Sequence, residues 1–293
     1  MSRGQRCWFP SVLVMKVHKA VIAAAGLGTR MFPITKTIDK AMLPIGSRPA
    51  IDLIIDECRT AGVDRIALVL RAGSSQVQDY YTPDPNLESL LALHSWQSKG
   101  EVLNEIGRGI EFQFFHQRLD VDDYGTAVPL LLVEDFVGDE SFYYISGDDV
   151  LIDAASTSTL RALAEQVGVG GSGVVARTSH RAEAGRYGVL EVAQLDDRLV
   201  LTDIREKVSP SDLTCDRLVN ISRYILPPTV IDLVRELPVD PRSGERRITD
   251  ALLRLMDTGL PPVVHVTNGQ YFDIGDRQGL LAANNFVATQ GLL

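Results

Sequence analysis

The feature that most constrains this chain is a short apolar run, Ala20-Val21-Ile22-Ala23, that breaks at once into Ala24-Ala25-Gly26-Leu27-Gly28-Thr29-Arg30. A run this short, bounded by glycine, reads as a buried strand. A buried strand that empties into glycines, a hydroxyl and cations is how α/β proteins hold phosphates: glycine lets the backbone approach closely, and exposed N–H groups then point at the anion. Arg30, Lys36 and Lys40 add fixed positive charge. The first acidic residue is Asp39; before it stand only Arg3, Arg6, Lys16, Lys19, Arg30 and Lys36, yet the 293-residue chain has a formal net charge of −9. A basic loop on an acidic protein describes a focused anion site, and the net acidity argues against nucleic acid as a partner.

The loop is not a Walker loop, since no G-K-[ST] closes it, and not the dinucleotide fingerprint, since no G-x-x-G follows. Taken alone, G-x-G serves equally well as a tight strand-to-helix turn. The cations, and the stiffening prolines Pro33, Pro44 and Pro49, turn the reading toward triphosphate binding.

Downstream, short apolar runs alternate with helical spacing, which predicts a mostly parallel sheet with helices on both faces. Strands are expected at Lys19–Ala25, Arg65–Leu70, Ile110–Phe115, Phe142–Ile145, Val174–Arg177 and Val263–Val266, with a hairpin pairing Val189–Val192 and Leu199–Ile204 around Asp196-Asp197. Helices are expected at Pro49–Ala61, Ala127–Val133, Ser156–Val167, Thr229–Leu237, Ile248–Met256 and Arg277–Ala288, and a helical insertion at about 83–107. One domain over 16–293 is the simplest division. Residues 1–15, two arginines and a short apolar run without a small-residue cleavage site, read as a frayed extension, with Met15 an alternative start to Met1. Cys7, Cys58 and Cys215 are far apart with no C-x-x-C, and five scattered histidines add no ligand spacing, so zinc is not expected and a reducing, cytoplasmic setting is. No run approaches the roughly 18–20 apolar residues of a membrane span.

Two aspartates carry the next signal. Asp148, in Ser146-Gly147-Asp148-Asp149, follows a strand, and Asp273, in Tyr271-Phe272-Asp273-Ile274-Gly275, lies beyond another. Ligands of open α/β sheets bind outside the carboxyl ends of strands, where an aspartate suits Mg²⁺; the bland alternative is a turn aspartate. Gly125-Thr126 reads either as a helix start or as a close backbone approach to a nucleobase, and Glu206-Lys207, in isolation, as an exposed ion pair.

Together these residues resemble a known family. Gly26-Leu27-Gly28-Thr29-Arg30-Met31-Phe32-Pro33, Thr35-Lys36, Lys40 and Met42-Leu43-Pro44 are similar to the signature of sugar-1-phosphate nucleotidylyltransferases, and within them to the bacterial UTP–glucose-1-phosphate uridylyltransferases, over about residues 16–288. The resemblance implies a Rossmann-like three-layer α/β/α fold with a mixed, mostly parallel sheet, and a homo-oligomer, dimer or tetramer. It implies that Ala25, Gly26, Gly28, Thr29 and Arg30 hold the nucleotide triphosphate and that Lys40 contacts phosphates during transfer. Gln117 would read the pyrimidine, with Gly125 and Thr126 against the base. Asp148 and Asp273 would hold Mg²⁺. Tyr187 and Gly188 would line the sugar pocket, Glu206 would take sugar hydroxyls and Lys207 the sugar phosphate. Gly244-Glu245 and Thr249-Asp250-Ala251 match a further family segment.

The departures concern specificity. Asp123-Tyr124-Gly125-Thr126-Ala127 stands where the family has Gly-Leu-Gly-His-Ala, with one extra residue after Gln117; Val208 replaces a proline, Ser222 a glycine, and Arg246-Arg247 an Ile-Gln pair. The implied activity is Mg²⁺-dependent transfer from UTP to glucose 1-phosphate. Alternatives are the same reaction with dTTP or another sugar 1-phosphate, or a non-catalytic nucleotide-sugar sensor.

Overall fold

The computed structural model describes residues 16–119, 124–154, 156–241 and 243–291; segment 1–15 and Asp123, both singled out above, lie outside them. Strands follow in the order β1 (Lys19–Ala24), β2 (Arg65–Arg71), β3 (Glu111–Gln117), β4 (Phe142–Ser146), β5 (Asp149–Ile152), β6 (Gly173–Ser179), β7 (Val189–Leu195), β8 (Arg198–Arg205), β9 (Arg217–Leu226), β10 (Val263–Val266) and β11 (Gln270–Asp273). The principal helices are α1 (Ala50–Ala61), α2 (Gln76–Tyr81), α3 (Pro85–Leu93), α4 (Thr159–Gln166), α5 (Val230–Glu236), α6 (Ile248–Met256) and α7 (Arg277–Gln290).

Among the described residues, one 9-stranded sheet has the order β3-β2-β1-β4-β9-β6-β10-β8-β7, and β5 pairs with β11 outside it. All its strands run one way except β8 and β9, so the sheet is mixed and mostly parallel. The chain moves from β1 outward to β3, then returns to lay β4 on the other side of β1. A crevice therefore opens between the carboxyl ends of β1 and β4, where open α/β sheets bind ligands.

Strand alternation sorts the core into two layers. Ala20 and Ile22 of β1 join Ile51, Ile54 and Ile55 of α1, Leu160 and Leu163 of α4, and Ala283 and Val287 of α7. Val21 faces the opposite side with Tyr144, Val230 of α5, and Ile248, Leu252 and Leu255 of α6. Burying each such isoleucine or leucine is worth about 1.5–3 kcal/mol. The stop at the end of α1 is Gly62, whose φ of 94° is left-handed and costs glycine least.

Most expected elements are present within a few residues. The segment expected as a helix at 127–133 is a 3₁₀ turn, Val128–Leu132. Within the expected insertion Pro85–Leu93 and residues 97–105 are helical, the first opened by Asp84, whose carboxylate accepts from the Asn86 and Leu87 N–H groups. β9, β5 and β11 have no counterpart in the expected set. β9 escapes because Asn220, Ser222 and Arg223 interrupt its apolar residues and its register shifts between Asn220 and Tyr224.

Candidate functional site

At the crevice between β1 and β4 lies a cavity of about 200 Å³ lined by Ala25, Gly26, Lys40, Gln117, Gly125, Thr126 and Asp148, with Ser222 and Glu245. The structure thus brings these expected residues together. Gly28, Thr29, Arg30, Asp273 and the group Tyr187, Gly188, Glu206 and Lys207 do not line it, and Lys36 is exposed.

The glycine loop is held by its own chain. Gly28 is left-handed, with φ 63°, and the Thr35 hydroxyl donates to its carbonyl at 2.8 Å. Asp39 does not cancel the loop's cations: it pairs with Arg71 at 2.9 Å and accepts from Ser74, while its N–H reaches Gln76 of α2 at 3.0 Å. The residue after it, Lys40, forms an ion pair with Asp148. Arg30 pairs with Asp273 at 3.4 Å. The two pairs meet at Gly275: a Cβ there would lie 2.4 Å from the Arg30 guanidinium, 2.7 Å from Asp273 Oδ1 and 3.0 Å from Asp148 Oδ2. A side chain at this position would push these side-chain ends apart, so glycine lets the two pairs approach. Burial raises the Asp148 pKa, but the Lys40 charge and hydrogen bonds from Lys40 and Ser146 outweigh it, so the carboxyl sits below the usual range.

The convergence of the two carboxylates is the work of the β5–β11 pair, where Asp273 lies opposite Asp149 and the Ile274 N–H donates to the Asp148 carbonyl at 3.0 Å. Behind it, the Tyr271 hydroxyl donates to the Asp149 carboxylate. Burial, then the charge of Asp148, pushes the Asp149 pKa up to about 7. Deeper still, fully buried Arg223 forms a two-pronged ion pair with Glu57 at 2.9 and 2.7 Å, and also donates to the Asp149 carbonyl at 2.9 Å. Sequence reasoning missed this layer; a charged pair in apolar surroundings was its only signal.

Gly125 is required by the protein's own backbone: its φ is 131°, and a Cβ would stand 2.3 Å from the Arg246 carbonyl oxygen. The Thr126 hydroxyl, rather than capping a helix of its own, accepts from the Ile248 N–H at the start of α6 at 3.0 Å. The Arg246 guanidinium turns away from the cavity and donates to the carbonyls of Val234, Arg235 and Leu237 at 3.2, 3.1 and 2.8 Å. It closes the end of α5, where cations suit the helix dipole, so its charge is not an addition to the cavity. Ser222 does face the cavity, and it takes a left-handed φ of 54° where glycine is the easier residue.

Tyr187 and Tyr271 meet edge to face at 5.9 Å, and the Arg177 guanidinium lies 4.9 and 5.1 Å from their rings. Gly188 sits under Glu206, whose Oε1 would be 2.9 Å from a Cβ at Gly188. Desolvation raises the Glu206 pKa, opposed by the nearby Thr249 hydroxyl and by the charges of Arg247 and Lys207. Lys207 is left-handed, φ 53°, and Val208, in the place of a proline, is buried, its carbonyl oxygen 2.1 Å from where a Gly185 Cβ would be. Arg247 is bound by Asp250 and Asp240.

Residues 19–290 match the nucleotidyl transferase family. A UTP–glucose-1-phosphate uridylyltransferase of Bacillus subtilis, YngB, is 31% identical over 92% of this chain and 89% of its own length. One from Mycoplasma pneumoniae is 29% identical over 93% of each chain. Among solved structures, a UTP-bound UGPase from Acinetobacter baumannii superimposes with a TM-score of 0.82 at 25% identity, covering 94% of each chain. A UDP-glucose pyrophosphorylase complexed with UDP-glucose gives 0.79 at 28%, covering 94% of this chain and 99% of that one. With the glycine loop, the cavity at the β1–β4 crevice and the paired carboxylates in place, this chain belongs to the nucleotidyl transferase family.

Proposed function

We propose that this protein transfers the uridylyl group of UTP to glucose 1-phosphate, giving UDP-glucose and pyrophosphate. The observation that carries this reading is the meeting of two carboxylate–cation pairs, Lys40–Asp148 and Arg30–Asp273, beside a cavity at the carboxyl ends of β1 and β4. The named activity of the relatives supports the choice of substrates.

Nucleotidyl transfer asks the protein for positioning and charge rather than covalent chemistry. A sugar phosphate oxygen attacks the α-phosphorus in line, and pyrophosphate leaves. The attacking group is already deprotonated at neutral pH, so no general base is needed. Gly26, Gly28 and Thr29 cradle the triphosphate with Ala25 beside them, Gln117 reads the pyrimidine, and Gly125 and Thr126 bound its pocket. Lys40 and Arg30 exchange their carboxylate partners for phosphate oxygens and stabilise charge on the transferring and leaving groups. Lys207 holds the sugar phosphate; Glu206, Tyr187 and Gly188 form the sugar side.

Asp148 and Asp273 would hold Mg²⁺. Two converging carboxylates, without a third acidic or nitrogen ligand among the described residues, fit a cation that takes one or two carboxylates and completes its shell with phosphate and water. Bound there, it would supply positive charge against the negative charge of the transferring and leaving phosphates.

Ser222 in the cavity wall favours a second reading in which another sugar 1-phosphate, or dTTP, is used by the same machinery. A non-catalytic sensor would not need Arg30, Lys40, Asp148 and Asp273 together. The free thiols Cys58 and Cys215, with no helix of the described residues long and apolar enough to cross a membrane, support a cytoplasmic setting.

The test is pyrophosphate release with Mg²⁺, crossing UTP, dTTP, CTP, ATP and GTP against several sugar 1-phosphates. Release greatest with UTP and glucose 1-phosphate is the expected result. A different best pair keeps the mechanism and reassigns the substrates; release from no pair, with UTP or UDP-glucose still bound, moves the protein to the sensor class.

A further inference from the structure

The geometry points to the buried Glu57–Arg223 pair as a positioning device for the two-carboxylate centre, acting through the backbone of Asp149. The inference rests on the reading of Asp148 and Asp273 as cation ligands.

The placement of the pair is specific. Arg223 is 0% exposed, and its guanidinium grips three elements at once: the Glu57 carboxylate on α1, the Ile221 carbonyl on its own strand at 3.2 Å, and the Asp149 carbonyl at the start of β5. Asp149 follows Asp148 directly and lies opposite Asp273. The peptide that Arg223 holds therefore joins the strand pair on which both carboxylates depend. A neutral donor would satisfy one carbonyl. The planar five-donor fork satisfies a carboxylate and two carbonyls from fixed directions, which a lysine cannot reproduce.

The cost of the arrangement also argues for a role. A buried ion pair is weak evidence of stabilisation, because apolar residues of similar volume often serve as well or better. The same strand bears the register shift that breaks the ladder between Asn220 and Tyr224, and the residue before Arg223, Ser222, is left-handed with its N–H on Asn220 Oδ1 at 3.0 Å. Strand irregularities of this kind re-aim side chains beside functional sites. Here one turn of backbone sends Ser222 to the cavity and Arg223 to the carboxylate hairpin.

The test uses the full chain with UTP and Mn²⁺ as a spectroscopic stand-in for Mg²⁺. Removing one partner alone would leave a buried charge, so the variants are Arg223→Lys, which keeps the charge, and the double replacement Glu57→Leu with Arg223→Met, which removes both charges. Folding is followed by circular dichroism and thermal melting, and Mn²⁺ affinity by electron paramagnetic resonance with UTP present. UTP affinity without metal is measured by equilibrium dialysis. The expected result is Mn²⁺ affinity weakened by about 10-fold or more in whichever variants fold, the scale of lost outer-shell support, with metal-free UTP affinity unchanged. Wild-type Mn²⁺ affinity in a folded variant overturns the inference, as does a parallel loss of Mn²⁺ and metal-free UTP affinity, which marks general damage. Wild-type protein that takes up no Mn²⁺ overturns the cation reading itself, and the inference with it.

Discussion

Around Gly275 each carboxylate is matched to a cation, Asp148 to Lys40 and Asp273 to Arg30, and the hairpin beneath them is tied to α1 by Arg223. Around Gly188 the Glu206 carboxyl lies over the glycine's backbone, and the neighbouring Lys207 occupies a left-handed turn. The first region is charge-compensated and braced before any ligand arrives; the second is built from turns at the end of β8. Preorganised charge is what a phosphoryl-type transition state rewards, because groups already in place need not reorganise during the reaction. A pocket that reads a sugar can be made of loops, which vary without disturbing the frame. The difference bears on the departures of this chain from its family: Val208 and Arg247 lie beside Glu206-Lys207, Tyr124, Thr126 and Ser222 line the cavity, and none falls within Gly26–Lys40.

Breaking the braced region should have the largest effect. Lys40→Ala removes the partner of Asp148 and a phosphate-facing charge; turnover should fall by about 10²-fold or more, as when an oxyanion donor is lost. Near-normal turnover by pyrophosphate release would sink the assignment. Lys207→Ala should act differently. It removes one charged contact to a ground-state phosphate, so the KM for the sugar phosphate should rise about 10- to 100-fold, with kcat changed much less. An equal loss of kcat would mean that both regions work as one unit and that the contrast is false.

How far the sequence reveals each region follows from how local its chemistry is. The glycine loop is legible because Gly26, Gly28, Arg30 and Lys40 lie within one short stretch. Asp148 and Asp273 are legible one at a time, as aspartates beyond strands. Their meeting is not, since it depends on β5 pairing with β11 across about 120 residues of sequence and on the turn that follows, where Gly275 lies against both carboxylates. Arg223 is the least legible: its partner Glu57 is 166 residues away, and a charge within an apolar run argues locally against a strand. Arg246 misleads for the opposite reason. It lies beside a family segment, and its backbone does border Gly125, but three carbonyls at the end of α5 take its guanidinium.

Two substitutions sharpen the boundary between site and scaffold. Gly125→Ala would drive a methyl into the Arg246 carbonyl at a φ of 131°, so the protein should lose about 2 kcal/mol of stability in denaturant unfolding. If a nucleobase alone demanded this glycine, stability would hold and only nucleotide affinity would fall. Arg246→Ala should cost about 1 kcal/mol through the lost helix-end contacts, with unchanged preference among nucleotides and sugars. A shift in substrate preference would restore Arg246 to the specificity residues.

The smallest effect lies at the far end of β1 from the site. Lys19 is buried, donates to the Val137 carbonyl at 3.0 Å and pairs with Glu140 at 2.5 Å. The hydrogen bond from Lys19, and then its charge, hold the Glu140 carboxyl below the usual carboxylate range. In the window between that lowered value and the ordinary one, the unfolded chain binds more protons than the folded one, so stability rises with pH there. The contribution is fully present above the ordinary carboxylate pKa and is lost as pH falls through the lowered one. Glu140 is half exposed, so water screens the pair and the amplitude should stay below about 1 kcal/mol. Glu140→Gln should flatten that part of the stability–pH curve and leave turnover untouched. A change in turnover would show that a charge pair at the amino end of β1 communicates with the pairs at its carboxyl end, and the division between braced site and passive scaffold would have to be redrawn.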